Sequence, residues 1–221
     1  MIEPVLRILL WPALLVVWGG LVAAVLTMAP VEDGLSVEVG ARLASSGVDN
    51  PVTAVLLNFR GYDTLLEVAV LTLAVLGIWS VNVMPRRRAG APGLVLSFLI
   101  RILVPFMVLL GGYLLWAGAD SPGGAFQAGV VFAAAGVLVL LSGTPLPRHL
   151  EGWPLRTAMA LGLVTFLVAG ILLLLLEGRF LEYPRLQAKH WILAIEVAAA
   201  VSIGIVLAAA IRGGRPGETA P

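Results

Sequence analysis

The chain has 221 residues, of which 60% are hydrophobic and only 12% are charged, and its mean hydropathy is +1.01. Soluble domains carry about a quarter charged residues, so this composition excludes an ordinary soluble domain and predicts an integral membrane protein. A net charge of +1 with dispersed basic residues gives no basis for nucleic-acid binding, and the absence of cysteine excludes disulfides and thiolate metal sites.

The first apolar stretch covers about residues 8–28. A cleaved signal peptide has a shorter apolar core, usually about 7 to 15 residues, so we predict a retained membrane-spanning helix. A polar connection, residues 29–51, follows it and contains a sequence typical of a short surface helix over about residues 37–44.

The second span begins near Val52, ends at Met84, and carries unusual polarity in its first half. A charged side chain near the middle of a membrane costs about 2.5 to 3.5 kcal/mol, so these groups should face protein or a hydrated cavity. If the span is one continuous α-helix, its polar side chains share a face about 100° wide. These side chains are Arg60, Asp63, Thr64 and Glu67.

Topology is predicted by the run Arg86-Arg87-Arg88, because short loops rich in basic residues stay in the cytoplasm. Four further spans follow this loop, at about residues 93–116, 125–141, 155–176 and 190–211. The sequence therefore predicts an all-α integral membrane protein with about six transmembrane helices and both termini in the cytoplasm. The tail, residues 212–221, is rich in Gly and Pro and is predicted to be disordered.

A glycine-rich turn separates the third and fourth spans. It contains Asp120, Pro122, Gly123 and Gly124, and it lacks the lysine and the preceding strand of a phosphate-binding loop. We interpret these four residues as a structural turn that lets the fourth helix pack closely on its neighbours.

Glu196 is a lone carboxylate in the sixth span, without an opposite charge three or four residues away. It must pair with another helix, be protonated, or face water. The sequence shows no Ser/His/Asp arrangement, haem-ligand pair or metal-ligand cluster, so we predict neither an enzyme nor a cofactor or metal site. The available chemistry is proton and cation handling by Asp63, Glu67 and Glu196.

Two segments resemble a known family. Phe59-Arg-Gly-Tyr-Asp-Thr-Leu-Leu-Glu67 is similar to the F-R-G-[FY]-D-T-x-x-E motif in the C-terminal extension of the large A-type component of Mrp-type multisubunit Na⁺/H⁺ antiporters, and in the matching small component of membrane-bound hydrogenases. Asp120-Ser-Pro-Gly-Gly-Ala-Phe-Gln-Ala-Gly129 resembles the G-H-x-x-P-G-G-G-F-x-x-G motif of the B-type component of those antiporters, the MnhB family. The chain thus resembles a two-helix A-type module, residues 1–85, joined to a four-helix B-type module, residues 86–211.

The resemblance implies a non-enzymatic membrane component of a cation/proton antiporter in the bacterial cytoplasmic membrane. Its implied partners are large antiporter-like subunits, small companion subunits, the lipid bilayer, Na⁺ and H⁺. The implied ion or proton path contains Arg60, Asp63, Thr64, Glu67 and Glu196. Ala119 replaces the histidine of the B-type motif and Ala125 its third glycine, so the resemblance supports no role for an imidazole there.

Two alternatives remain open at this point. The same module could serve as the ion-translocating arm of a redox-driven complex such as a membrane-bound hydrogenase. It could also be a structural adaptor whose charged residues only dock neighbouring helices.

Overall fold

A computed structural model describes residues 2–28, 35–81, 93–143 and 152–212 of the chain. The arginine-rich loop at residues 86–88 and almost all of the C-terminal tail lie outside these ranges, so the predictions made for them stay predictions. Residues 1–37 form one compact unit and residues 38–221 form a second. The helix α1 belongs to the first unit, and the architecture below concerns the second.

The described residues form helices joined by short turns, without strands. Their bounds are α1 Ile2–Thr27, α2 Ser36–Ser46, α3 Pro51–Thr53, α4 Gly61–Val81, α5 Leu94–Ala117, α6 Ala125–Leu141, α7 Trp153–Glu177 and α8 Ala188–Arg212. A π-helical segment, Ala54–Phe59, connects α3 to α4.

The predicted all-α membrane fold is confirmed. Four helices of the described chain, α4, α5, α7 and α8, are long and apolar enough to cross a membrane, and α1 and α6 contribute shorter apolar stretches. The predicted surface helix corresponds to α2, and α6 has the bounds that the sequence predicted. The cytoplasmic placement of both termini stays a prediction.

The expectation of one continuous α-helix from Val52 onward is wrong. The backbone N–H of Arg60 donates to the carbonyl of Val55, five residues earlier, and Arg60 leaves the helical conformation at φ −129° and ψ 34°. The wider π turn leaves the carbonyl of Leu56 to accept the hydroxyl proton of Thr64, so the backbone group is satisfied despite the break.

The helix α8 lies at the centre of the second unit, where it contacts α4, α5, α6 and α7. Over half of its apolar window is buried (56%), whereas only 6% of that of α5 is buried, which places α5 at the periphery. Small residues allow this packing: a Cβ at Gly129 of α6 would lie 2.7 Å from Cγ2 of Ile203 in α8.

We expect Gly129→Ala to lower the free energy of unfolding by about 1 to 3 kcal/mol, because the added methyl group meets the branched Cβ of Ile203 and cannot be accommodated without a backbone shift. Gly112→Ala is the matched control, since a Cβ there meets nothing within 4 Å. It should be neutral or stabilise the helix by up to about 1 kcal/mol. Denaturation of both variants in detergent tests this, and equal losses would contradict the packing.

Candidate functional site

Glu196 is the central residue of the candidate site. It lies on α8, is only 3% exposed, and faces the beginning of α6, where its carboxylate accepts a hydrogen bond from the backbone N–H of Ala125. The N-terminus of a helix carries partial positive charge, so this position stabilises an ionised carboxylate. Oε2 of Glu196 has no hydrogen-bond partner among the described residues. One carboxylate oxygen is therefore positioned by the fold and the other is left to bind something else.

The predicted turn at residues 118–124 makes room for this carboxylate. Gly124 has a φ of +110°, which side chains rarely adopt, and a Cβ at that position would lie 2.8 Å from Oε1 of Glu196. A Cβ at Gly123 would lie 2.3 Å from the carbonyl oxygen of Leu114. The two glycines thus let the turn close over α5 and bring α6 up to Glu196.

Asn50 holds the same turn from the other side. Its side-chain amide donates to the carbonyl oxygens of Gly118 at 3.0 Å and Ser121 at 2.6 Å, and its Oδ1 accepts from the N–H of Val52 at 3.0 Å. The hydroxyl of Thr53 also donates to the Gly118 carbonyl. Since Asn50 is 5% exposed, these are buried hydrogen bonds that join the segment before α4 to the turn before α6.

A second buried polar group, Tyr183, comes from the loop at residues 178–187 between α7 and α8. Tyr183 is 7% exposed, packs in one apolar cluster with Ile192 and Ile195 next to Glu196, and its hydroxyl has no hydrogen-bond partner among the described residues. Burial raises the pKa of Tyr183 well above its ordinary value of 10.0, and the negative charge of Glu196 raises it further. The hydroxyl therefore keeps its proton and acts as a hydrogen-bond donor.

The loop that carries Tyr183 is fixed by the start of α4. The ring of Phe180 stacks on Tyr62 with 5.2 Å between ring centroids, and Gly61 faces Leu181, whose Cδ1 would lie 3.2 Å from a Cβ there. Leu181 itself is buried and has a φ of 59°, an unusual conformation for this residue type. Two residues of the predicted F-R-G-Y-D motif thus position the loop.

An ion pair lies above Glu196 at the start of α8. Nζ of Lys189 donates to both carboxylate oxygens of Asp120, at 2.7 and 2.9 Å. Lys189 precedes Glu196 by seven residues, two helical turns, so the two side chains share a face of α8. Asp120, predicted to be a residue of the turn, therefore also joins that turn to α8 at the surface.

The structure separates the predicted path residues. Arg60 and Asp63 form an ion pair with both side chains more than half exposed, at 61% and 51%. Glu67 is also exposed, whereas Thr64 is buried and donates to the Leu56 carbonyl. Only Glu196 is an acid buried within the described chain. The α4 acids thus point outward and do not converge on Glu196.

Sequence reasoning missed Tyr183 and Asn50. Tyr183 belongs to a loop without a motif, and its approach to Glu196 depends on tertiary contacts of Phe180 and Leu181. Asn50 before Pro51 does carry a signal, because Asn is a preferred N-cap and Pro is favoured at the first helical position. That signal predicts the start of a helix but not the hydrogen bonds to Gly118 and Ser121.

A family model describing a domain related to the MnhB subunit of Na⁺/H⁺ antiporters matches residues 95–213, more than half of the chain. The chain belongs to the MnhB family. The matched range includes α5, α6, α7 and α8, the turn at residues 118–124, Tyr183 and Glu196. It therefore contains both buried polar groups of the candidate site.

Relatives share shorter parts of their length with this chain. An uncharacterized protein of Methanocaldococcus jannaschii is 30% identical over 156 residues, which are 61% of this chain and 60% of that protein. A probable K⁺/H⁺ antiporter protein of Rhizobium meliloti, of the combined A/B type, is 28% identical over 172 residues, 64% of this chain. The chain spans only 17% of that relative's length.

Two solved structures share the fold. The Mrp complex from Dietzia sp. DQ12-45-1b matches with a TM-score of 0.65 and 24% identity, covering 97% of this chain and 27% of the matched chain. The archaeal membrane-bound sulfane sulfur reductase matches with a TM-score of 0.66 and 26% identity, covering 96% of this chain and 97% of the matched chain. The fold therefore occurs both in an Mrp complex and in an archaeal respiratory membrane complex.

Asn50→Ala should lower the free energy of unfolding by roughly 2 to 4 kcal/mol, because it removes two buried hydrogen bonds and a helix cap. Asn58→Ala is the comparison, since the Asn58 side chain donates one bond, to the carbonyl of Ser46, and should cost only about 1 kcal/mol. Thermal denaturation in detergent separates the two. An Asn50→Ala loss no larger than that of Asn58→Ala would contradict a central role for Asn50.

Proposed function

We propose that the chain is a non-catalytic membrane subunit of a multisubunit cation/proton antiporter complex, and that Glu196 takes up and releases a proton or cation along the transport path. Membership of the MnhB family supports the class of complex. The observation that carries the role of Glu196 is its burial at the N-terminus of α6 with one carboxylate oxygen unpaired. Na⁺, K⁺ and H⁺ are the candidate cargo ions.

The geometry suits a group that exists in two charge states. A buried carboxylate is costly when it is ionised without partners, but the Ala125 N–H and the partial positive charge of α6 stabilise the ionised form. Proton binding at Oε2 requires no loss of a hydrogen bond, because that oxygen has none among the described residues. A carboxylate with both states accessible can exchange a proton for a cation.

Asp63 and Glu67 have a different place in the proposal. Glu67 lies about 9 Å along α4 from Gly61, at 1.5 Å per residue, and is exposed on the surface of the chain. Because lipid is a poor environment for a carboxylate, this face should meet a polar surface of a companion protein in the complex. The α4 acids then contribute to the path at a contact between subunits, with Arg60 paired to Asp63 and Thr64 stabilising the break before α4.

Glu196→Gln should reduce ΔpH-driven Na⁺ or K⁺ exchange roughly tenfold or more, because a carboxamide of the same shape cannot take up or release a proton. The measurement uses vesicles that contain the chain with its companion subunits, and co-purification shows that the complex still assembles. Glu177→Gln, at the exposed end of α7, is the control and should exchange normally. Normal exchange by an assembled Glu196→Gln complex would refute the proposed role.

Asp63→Asn and Glu67→Gln separate transport from docking at the α4 face. If these acids belong to the path, both variants assemble and lose exchange in the same vesicle assay. If they only dock a neighbouring protein of the complex, yields of the co-purified complex fall while the assembled fraction exchanges at the wild-type rate per complex. Normal assembly and normal exchange would exclude both roles.

A second candidate function is the ion-translocating arm of a redox-driven complex. The match to the sulfane sulfur reductase favours it, because it covers nearly the whole of both chains. The proteins that co-purify in mild detergent discriminate between the two. Redox subunits, with ion transport that requires an electron donor, favour this candidate, whereas large antiporter-like subunits with ΔpH-driven exchange favour the first.

A further inference from the structure

Tyr183 and Glu196 are the only ionisable side chains that are buried among those whose exposure the structure describes. Each also has an oxygen without a hydrogen-bond partner in that part of the chain. A hydroxyl that retains its proton needs an acceptor, and a carboxylate oxygen needs a donor, so the two unsatisfied groups are chemically complementary.

Packing brings the two groups to the same place. Tyr183 belongs to the apolar cluster of Ile192 and Ile195, which lie one turn before Glu196 and directly beside it on α8. Ala119 of the turn at residues 118–124 belongs to the same cluster. The ring is thus enclosed between the turn and α8, close enough for the charge of Glu196 to act on the phenol.

We propose that the hydroxyl of Tyr183 donates a hydrogen bond to Oε2 of Glu196, directly or through one water molecule, and so sets the pH at which Glu196 releases its proton. This inference rests on the proposed function, since it assigns the donor to the same carboxylate. Tyr183 acts on transport through Glu196 and is therefore a positioning residue. Its hydroxyl stabilises the ionised form of Glu196, and its own proton stays in place.

Other charged groups on the elements around α8 are exposed and cannot take this role. Glu177 and Arg156 on α7, Arg101 on α5 and His190 on α8 are all exposed. Asp63, Glu67, Asp120, Lys189, Arg179, Glu182 and Arg185 are exposed as well, and α6 carries no ionisable side chain. Tyr183 is left as the group that controls the ionisation of Glu196 from within the described fold.

The mobility of the loop would weaken such a bond, but the loop is held on several sides. A Cβ at Gly170 would lie 2.2 Å from Cζ of Phe180, so this glycine accommodates the Phe180 ring against α7. The other face of that ring stacks on Tyr62, and Leu181 is buried against Gly61. The F-R-G-Y-D motif therefore positions Tyr183 as well as carrying Asp63.

The test uses the assembled complex in membranes and follows the C=O stretch of protonated Glu196 in pH-difference infrared spectra. Loss of the band in Glu196→Gln assigns it. Tyr183→Phe should raise the midpoint pH of this band by about one to two pH units, because the ionised form loses a donor. The pH profile of exchange should shift in the same direction. Tyr113→Phe, which removes an exposed hydroxyl from α5, should shift neither.

Site-specific fluorotyrosine at position 183 gives the opposite sign without removing the hydroxyl or altering the packing. Fluorine makes the phenol a stronger donor, so the midpoint should fall below that of the wild type. Wild-type midpoints for both replacements, with the band assigned to Glu196, would overturn the inference. The proposed function fails separately, if assembled Glu196→Gln complexes exchange ions normally while the Tyr183→Phe band shift is still observed.

Discussion

The contact between the Glu196 carboxylate and the N-terminus of α6 is the interaction on which the rest of the candidate site depends. It places an acid of a central, apolar helix where the Ala125 N–H and the helix dipole stabilise its charge. Without that contact, an ionised carboxylate at this depth would be too costly to populate. With it, the group can be charged or neutral, and its remaining oxygen is free to take part in exchange.

Both recognisable motifs serve this contact from different directions. The glycines at 123 and 124 let the turn approach α5 and leave space for Oε1 of Glu196, which a side chain at position 124 would occupy. Gly61 and Tyr62 hold the loop that brings Tyr183 to the same region. Asn50 completes the arrangement, because its buried side chain joins the segment before α4 to the turn before α6. The A-like and B-like parts of the sequence therefore build one site.

Much of the fold could be predicted because bilayer-spanning helices are long apolar runs, and α6 was bounded correctly by the glycine turn before it. Glu196 could be recognised as unusual for the same reason, since a lone acid stands out in such a run. The break at Arg60 could not be predicted, because the hydropathy of residues 52–81 is continuous and the π turn depends on the bond from Thr64 to Leu56. Tyr183 escaped because nothing local distinguishes it from any aromatic residue of a surface loop.

A high-resolution structure of the assembled complex, determined above and below the pH midpoint of exchange, would decide whether ions reach Glu196. We expect an ordered water or ion in contact with Oε2 of Glu196, near the Tyr183 hydroxyl, and continuous with a hydrated route to one side of the membrane. A carboxylate sealed in dry contacts at both pH values, with no such route, would refute the exchange role and leave Glu196 as a residue that only fastens α8 to α6.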